Sequence, residues 1–240
     1  MKAIQITLQA EDTIRLPLSY QHILQSLLYS CWRPTLPGLH EKGIPSGERS
    51  MKLFCFGRIE GKYRIEAPQI VFSPPISFEV RSAQDELVEI VALQLRNHET
   101  LELGNNPVVL DHLEMRERQL FPDIATIQMI SPVTVHETTK DGKTRYLHPE
   151  EPEWSSKLAS NLQSKLKALK MDCSADFSIE ADARPVKQVA QFKHTYITAY
   201  SGKFIVKTDP EAMRVLYYCG LGNRNSQGFG LFDIPDKGIR

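Results

Sequence analysis

Polar and apolar residues alternate from the first positions, with Ile4, Ile6 and Leu8 on one side, which predicts a half-buried strand over residues 2–9. After Pro17 and Ser19 the period changes. Ile23, Leu24, Leu27, Leu28, Cys31 and Trp32 recur at helical spacing, so a helix is expected over residues 19–32, stopped by Pro34. A loop rich in Pro and Gly follows from Arg33 to Gly47. Strands are expected at 51–58, 63–65 and 69–80, then an amphipathic helix over 84–96 with Leu87, Ile90, Val91 and Leu95 on one face. Strands at 98–103 and 108–116 close this half.

Beyond a junction near Arg118 to Pro122 the plan repeats. Strands are expected at 126–136 and 144–147, a helix over 153–170, then strands at 173–181, 186–193 and 195–206. Pro210 suits the first turn of a short helix ending at Cys219, and a last strand is expected over 229–234. The order in each half is close to β-α-β-β-α-β, the split ferredoxin-like plan also used by RNA-recognition modules. The fold class is therefore α+β, with two tandem ferredoxin-like domains, residues 1–120 and 121–240, whose antiparallel sheets carry helices on one face. The halves share no visible sequence similarity, so the repeat rests on element order.

At 240 residues the chain is long enough for one large domain or two small ones, and 41% hydrophobic with 24% charged residues is an ordinary globular composition. The 29 basic and 29 acidic side chains cancel, which argues against a surface that coats nucleic acid or membrane as a whole. A local groove remains possible. Between Asp182 and Asp209 the cations Arg184, Lys187, Lys193, Lys203 and Lys207 occur without any Asp or Glu, interleaved with Phe192, Tyr196, Tyr200 and Phe204. Cys31, Cys55, Cys173 and Cys219 form no C-x-x-C pair, so buried thiols are expected rather than zinc or redox chemistry. The N-terminus lacks the apolar run of a signal peptide or membrane span, and a cytoplasmic protein with no membrane partner is expected.

The most specific stretch is Gly220-Leu221-Gly222-Asn223-Arg224-Asn225-Ser226-Gln227-Gly228-Phe229-Gly230, in which two Gly-apolar-Gly units flank five polar residues. Such a loop can present N–H groups to a phosphate or to another domain. It is not a Walker motif, because no Gly-Lys-Ser/Thr follows and a strand comes next. Together with the N-terminal SYQHILQSLLY helix, the LHEKG segment and the MKLFCFG strand, this loop resembles the CRISPR-associated endoribonucleases that cut precursor repeat RNA into guide units, members of the RAMP superfamily. That resemblance implies metal-independent cleavage, without a cofactor, through a histidine supported by a tyrosine and a lysine. The matching positions are His40, Tyr29 and Lys52.

The chemistry suits those residue types. RNA supplies its own 2′-hydroxyl nucleophile, so an enzyme needs only to move protons and stabilise the phosphorane. A histidine can do either transfer at cellular pH. A lysine places charge where the transition state becomes negative, and a protonated phenol donates to phosphate or ribose. Each residue also has an ordinary reading: His40 as an exposed loop histidine, Lys52 as a strand-edge lysine, Tyr29 as an anchor at the end of a core helix. RNA contacts are expected from Gly220, Gly222, Arg224, Asn225, Gln227, Gly228 and Gly230 in the loop, and from Arg184, Lys187, Lys193 and Lys203. Of the remaining histidines, His194 falls in the basic stretch, while His22, His98, His112, His136 and His148 have no metal-spaced partner. The function expected is cleavage of precursor CRISPR RNA within the repeat, leaving 2′,3′-cyclic phosphate and 5′-hydroxyl ends. The alternative is a non-catalytic RNA-binding subunit of a CRISPR effector complex. Expected partners are repeat RNA, effector-complex subunits and a second copy in a homodimer.

Overall fold

The computed structural model describes residues 1–39, 44–46, 49–173, 176–192 and 195–235; His40, Lys193 and His194 lie outside the described residues. The first half runs β1 (Lys2–Gln9), β2 (Ile14–Pro17), α1 (Gln21–Trp32), β3 (Ile44–Ser46), β4 (Arg49–Met51), β5 (Phe54–Phe56), β6 (Glu60–Glu66), β7 (Gln69–Ser82), α2 (Asp85–Asn97), β8 (Leu101–Leu103) and β9 (Asn106–Arg116). Its main sheet is ordered β9-β1-β7, and β7 carries β5 and β6 on its far edge, all antiparallel. Counting β5 and β6 as one bent strand, this is the 4-1-3-2 order of a ferredoxin-like unit. Ile4, Ile6 and Leu8 of β1 and Phe72, Phe78 and Val80 of β7 face the apolar stripes of α1 and α2 to make one core.

The second half continues with β10 (Ile124–Met129), β11 (His136–Thr138), β12 (Thr144–Tyr146), α3 (Pro152–Ala168), β13 (Ser178–Ala181), β14 (Val186–Phe192), β15 (Thr195–Ser201), β16 (Lys203–Lys207), α4 (Pro210–Cys219), a single 3₁₀ turn at Asn225–Gln227 and β17 (Phe232–Asp233). Its sheet is ordered β17-β10-β16-β13, again 4-1-3-2. Ala125, Ile127 and Met129 of β10 pack with Trp154, Leu158, Leu162 and Leu166 of α3 and with Ala212, Met213 and Leu216 of α4. The chain thus folds as two ferredoxin-like units in tandem, with β11–β12 and β14–β15 added as hairpins.

Several expected strands are interrupted. The run over 195–206 divides at Gly202, whose φ of +141° lets β15 leave its hairpin with β14 and β16 join the sheet. The run over 126–136 ends at Met129, because Ile130 and Ser131 give their N–H groups to the Leu231 carbonyl and Pro132 has none to give. Only Phe232 and Asp233 of the expected last strand pair with β10. β2, which pairs with β7 at Ile14 to Pro17, has no counterpart among the expected elements.

The units are joined across their sides. Arg81 of β7, 2% exposed, is held by both carboxylate oxygens of Glu79 at 2.7 and 2.9 Å, donates to the Phe232 carbonyl at 2.7 Å and stacks 3.7 Å from the Tyr217 ring. In the connection, Arg118 donates to the Ile234 carbonyl, and its backbone N–H meets the Tyr218 hydroxyl.

Candidate functional site

Tyr29 sits in the last turn of α1, half-buried, with its ring edge-on to Trp32 at 5.4 Å and to Phe54 at 6.1 Å. Trp32 is fixed in turn by its indole N–H, which donates to the Leu87 carbonyl at 2.8 Å. The aromatic cluster therefore locks the tyrosine ring. Over that ring lies Lys52, its Nζ 5.3 Å from the centroid, an arrangement favoured by the ring quadrupole. Burial raises the Tyr29 phenol to about 12, so it remains a proton-bearing donor at any cellular pH. Burial also lowers the Lys52 ammonium from its ordinary value. Tyr29 forms one wall of a hollow of about 220 Å³ with Ser26, Ser30 and Arg33. Two of the three expected catalytic residues are thus side by side.

The third, His40, lies outside the described residues. The segments on either side of it are described. Leu36 and Leu39 pack against the first core, whereas β3 lies against α3 of the second unit.

The glycine loop meets the same helix. The Gln25 amide donates to the Ser226 carbonyl, and Tyr29 follows one turn later, about 6 Å along the axis. A Cβ on Gly228, where φ is +86°, would lie 2.8 Å from the buried Phe56 ring and 3.2 Å from Gln21 Cγ. The loop is also clamped from within. Asn225, 7% exposed, donates to the Leu221 and Phe229 carbonyls, each at 3.0 Å, and accepts from Lys165 Nζ at 2.9 Å. Lys165, buried in α3, also donates to the carbonyls of Gly220 and Gly222. Burial pulls that ammonium down to about 8.

These contacts show what the expected RNA-binding residues do within the protein. Gly220, Gly222, Gly228, Gly230 and Asn225 are buried, and the N–H groups of Gly220, Leu221, Asn223, Gln227, Gly228 and Gly230 all bond inside the protein. The loop is therefore an internal joint between the units, and the six amide groups just named are engaged within the protein. Arg224 and Gln227 are half-buried and linked at 3.2 Å. In the basic stretch Arg184, Lys187 and Lys203 are exposed, and Lys193 lies outside the described residues. Of the interleaved aromatics Phe192, Tyr200 and Phe204 are buried and only Tyr196 is exposed, at 67%. Sequence reasoning missed Arg33, Gln25 and Lys165. The polar spacing of α1 at Gln21, Gln25 and Tyr29, every fourth residue, was the one signal that could have marked a functional stripe.

Residues 115–234 match the family model described as CRISPR associated protein Cas6, C-terminal, which takes in half of the chain. The chain belongs to the Cas6 family. The CRISPR-associated endoribonuclease Cas6 1 of Methanocaldococcus jannaschii is 24% identical, over 98% of this chain and 93% of its own length. The solved structure of a Cas6-related protein from Pyrococcus furiosus superposes with a TM-score of 0.85 at 19% identity, covering 99% of each chain. A RAMP protein described as binding different RNA substrates gives 0.84 at 17% identity, covering 98% of this chain and 100% of that one. These two structures bear on the fold. The Cas6 match covers β10 to β17 and the glycine loop, whereas Tyr29, His40 and Lys52 precede it. Among the described residues no helix is long and apolar enough to cross a membrane, and no three His, Cys, Asp or Glu are placed to hold a metal ion.

Proposed function

We propose that this Cas6-family chain is an endoribonuclease that cuts precursor CRISPR RNA within its repeat by attack of the ribose 2′-hydroxyl on the adjacent phosphate, without a metal ion. The 2′-oxygen forms a bond to phosphorus and the bond to the 5′-oxygen breaks. One proton leaves the 2′-hydroxyl and one is delivered to the 5′-oxygen, which leaves a 2′,3′-cyclic phosphate and a 5′-hydroxyl. The observation that carries this reading is the pairing of Lys52 with the half-buried, protonated Tyr29 on the helix that also seats the glycine loop. Lys52 offers positive charge to the phosphorane, and Tyr29 offers a donor to a phosphate oxygen or the ribose. His40, one residue beyond Leu39, performs proton transfer. Residues 1–120 carry this chemistry and residues 121–240 hold the strand, through Arg224, Gln227, Arg184, Lys187, Lys193 and Lys203. The protein acts in the cytoplasm on repeat RNA.

The test uses the purified chain and its own repeat RNA. Cleavage should persist in EDTA and yield the ends named above. His40→Ala should slow cleavage by about 10²- to 10⁴-fold with little change in Kd, the usual worth of general acid or base catalysis. A single 2′-deoxy substitution before the scissile phosphate should leave a substrate that binds and is not cut. Loss of activity in EDTA restored by magnesium, or cleavage of the 2′-deoxy strand, refutes the mechanism. Tight binding with no cleavage at all would make the chain a non-catalytic RNA-binding subunit.

A further inference from the structure

Across the glycine loop from Gln25 lies a group of side chains outside the proposed catalytic set. His136 opens β11 directly opposite Tyr146 of β12, with ring centroids 5.9 Å apart. Asn223 ties the loop to this hairpin, since its side-chain oxygen accepts from the His136 backbone N–H at 3.3 Å and its own N–H donates to the Thr134 carbonyl at 2.9 Å. The next residue, Arg224, is thereby brought beside the imidazole, whose pKa falls below its ordinary value through burial and, secondarily, through the arginine charge.

Three side-chain atoms in this group are covered and have no hydrogen-bond partner: His136 Nδ1, the Tyr146 hydroxyl and Arg224 Nε. Leaving such groups unmade costs about 1–3 kcal/mol each, so an accumulation at one place asks for an explanation. Arg224 adds a second sign. It holds a left-handed backbone at φ 58°, one of only two non-glycine residues to do so among those described, and such strain concentrates at ligand sites. Among the described residues it has no carboxylate within ion-pair reach, only the neutral Gln227 amide. The nearby acids Glu137 and Glu151 are already taken by Arg145 and Lys157, and Glu137 and Arg145 point to the opposite face of the hairpin from His136 and Tyr146.

We propose that His136, Tyr146 and Arg224 form a binding site for one phosphodiester group of the RNA strand. The inference rests on the proposed RNA substrate. All three residues are half-buried, and all three carry donors: the guanidinium, the phenol and an imidazole N–H. A phosphate has acceptors only and carries the charge that Arg224 lacks, and guanidinium is the group best matched to it.

The experiment measures Kd for repeat RNA made uncleavable by the 2′-deoxy substitution, using Tyr146→Phe, His136→Ala, Arg224→Ala and the His136→Ala/Arg224→Ala pair. Tyr146→Phe removes only the hydroxyl and keeps the ring against the cluster of Phe192, Ile197, Ala199 and Phe229, so it reports on the site even if another variant folds poorly. Each single change should weaken binding about tenfold. The double variant should lose less than the product of its two singles, because both residues hold one group. Arg224→Ala should make the slope of log affinity against log salt shallower by about 0.7. A scan of uncharged methylphosphonate linkages should find one whose effect on the unmodified protein is absent in Arg224→Ala. Unmodified protein that binds and cleaves, with Tyr146→Phe and His136→Ala both within twofold of it, overturns this site alone. Failure of the unmodified protein to bind repeat RNA overturns both this site and the proposed function.

Discussion

Asn225→Ala separates the internal role that the structure gives this residue from the RNA contact that its sequence position suggests. The substitution leaves the Leu221 and Phe229 carbonyls without their donor and takes one acceptor from the buried Lys165 ammonium. A buried acceptor left unmade costs about 1–3 kcal/mol, and the charged donor suffers at least as much, so a loss of about 4 kcal/mol is expected. With an unfolding entropy of about 2.1 cal/mol/K per residue, that lowers Tm by about 8 °C if the whole chain unfolds together, and by about twice as much if the second unit melts alone. Asn225→Asp keeps the acceptor for Lys165 but turns the two donors into an acidic oxygen facing carbonyls, so most of the loss should remain. Calorimetry and circular dichroism give the melting, and RNA affinity is measured well below it. A variant that melts within 1 °C of the unmodified protein yet binds repeat RNA tenfold more weakly would refute the argument and return Asn225 to the RNA surface.

Gly228→Ala should destabilise by about 2–4 kcal/mol in denaturant titration, since a positive φ and a contact of 2.8 Å with a fully buried phenylalanine ring act together. Lys165 makes a pH-dependent contribution: its folded value of about 8 lies below the unfolded 10.5, so the unfolded chain binds more protons between these values and stability rises with pH there. Cys55 and Cys219, raised by burial, oppose this in the same range, so the measurement is the difference between the unmodified protein and Lys165→Met. That difference should move in favour of the unmodified protein by about 2 kcal/mol from pH 7.5 to 9.5, and no movement would mean that the ammonium is not desolvated.

The helices and the tandem plan were legible because their signals are local. The stripe from Ile23 to Trp32 and the leucines of α3 at 158, 162 and 166 each bury one face of one element. Strand limits were less so, because β10 and β17 end where Ile130, Ser131 and Gly230 find partners about a hundred residues away. The site divided in the same way. Tyr29 and Lys52 are 23 positions apart, and residue type together with the resemblance named them, but only packing through Phe54 shows why they meet. The internal role of the glycine loop was not legible, for a physical reason. Glycines that let a backbone approach a phosphate equally let it approach another backbone, and the approach seen in the fold depends on Lys165, 55 residues from Gly220.

The bond from Arg81 to the Phe232 carbonyl spans 151 residues, which gives it a place in time during synthesis. At about 5–20 residues per second, the ribosome needs about 8–30 seconds to make that stretch. Throughout this interval the first unit carries a guanidinium that its own sheet leaves half-served, neutralised by Glu79 but without its cap. The nascent unit therefore keeps a polar, hydrated edge where a purely apolar one would invite association with neighbouring chains. Closure waits for β17 to emerge, so a truncation that removes β17 should leave the first unit folded but permanently open at that edge.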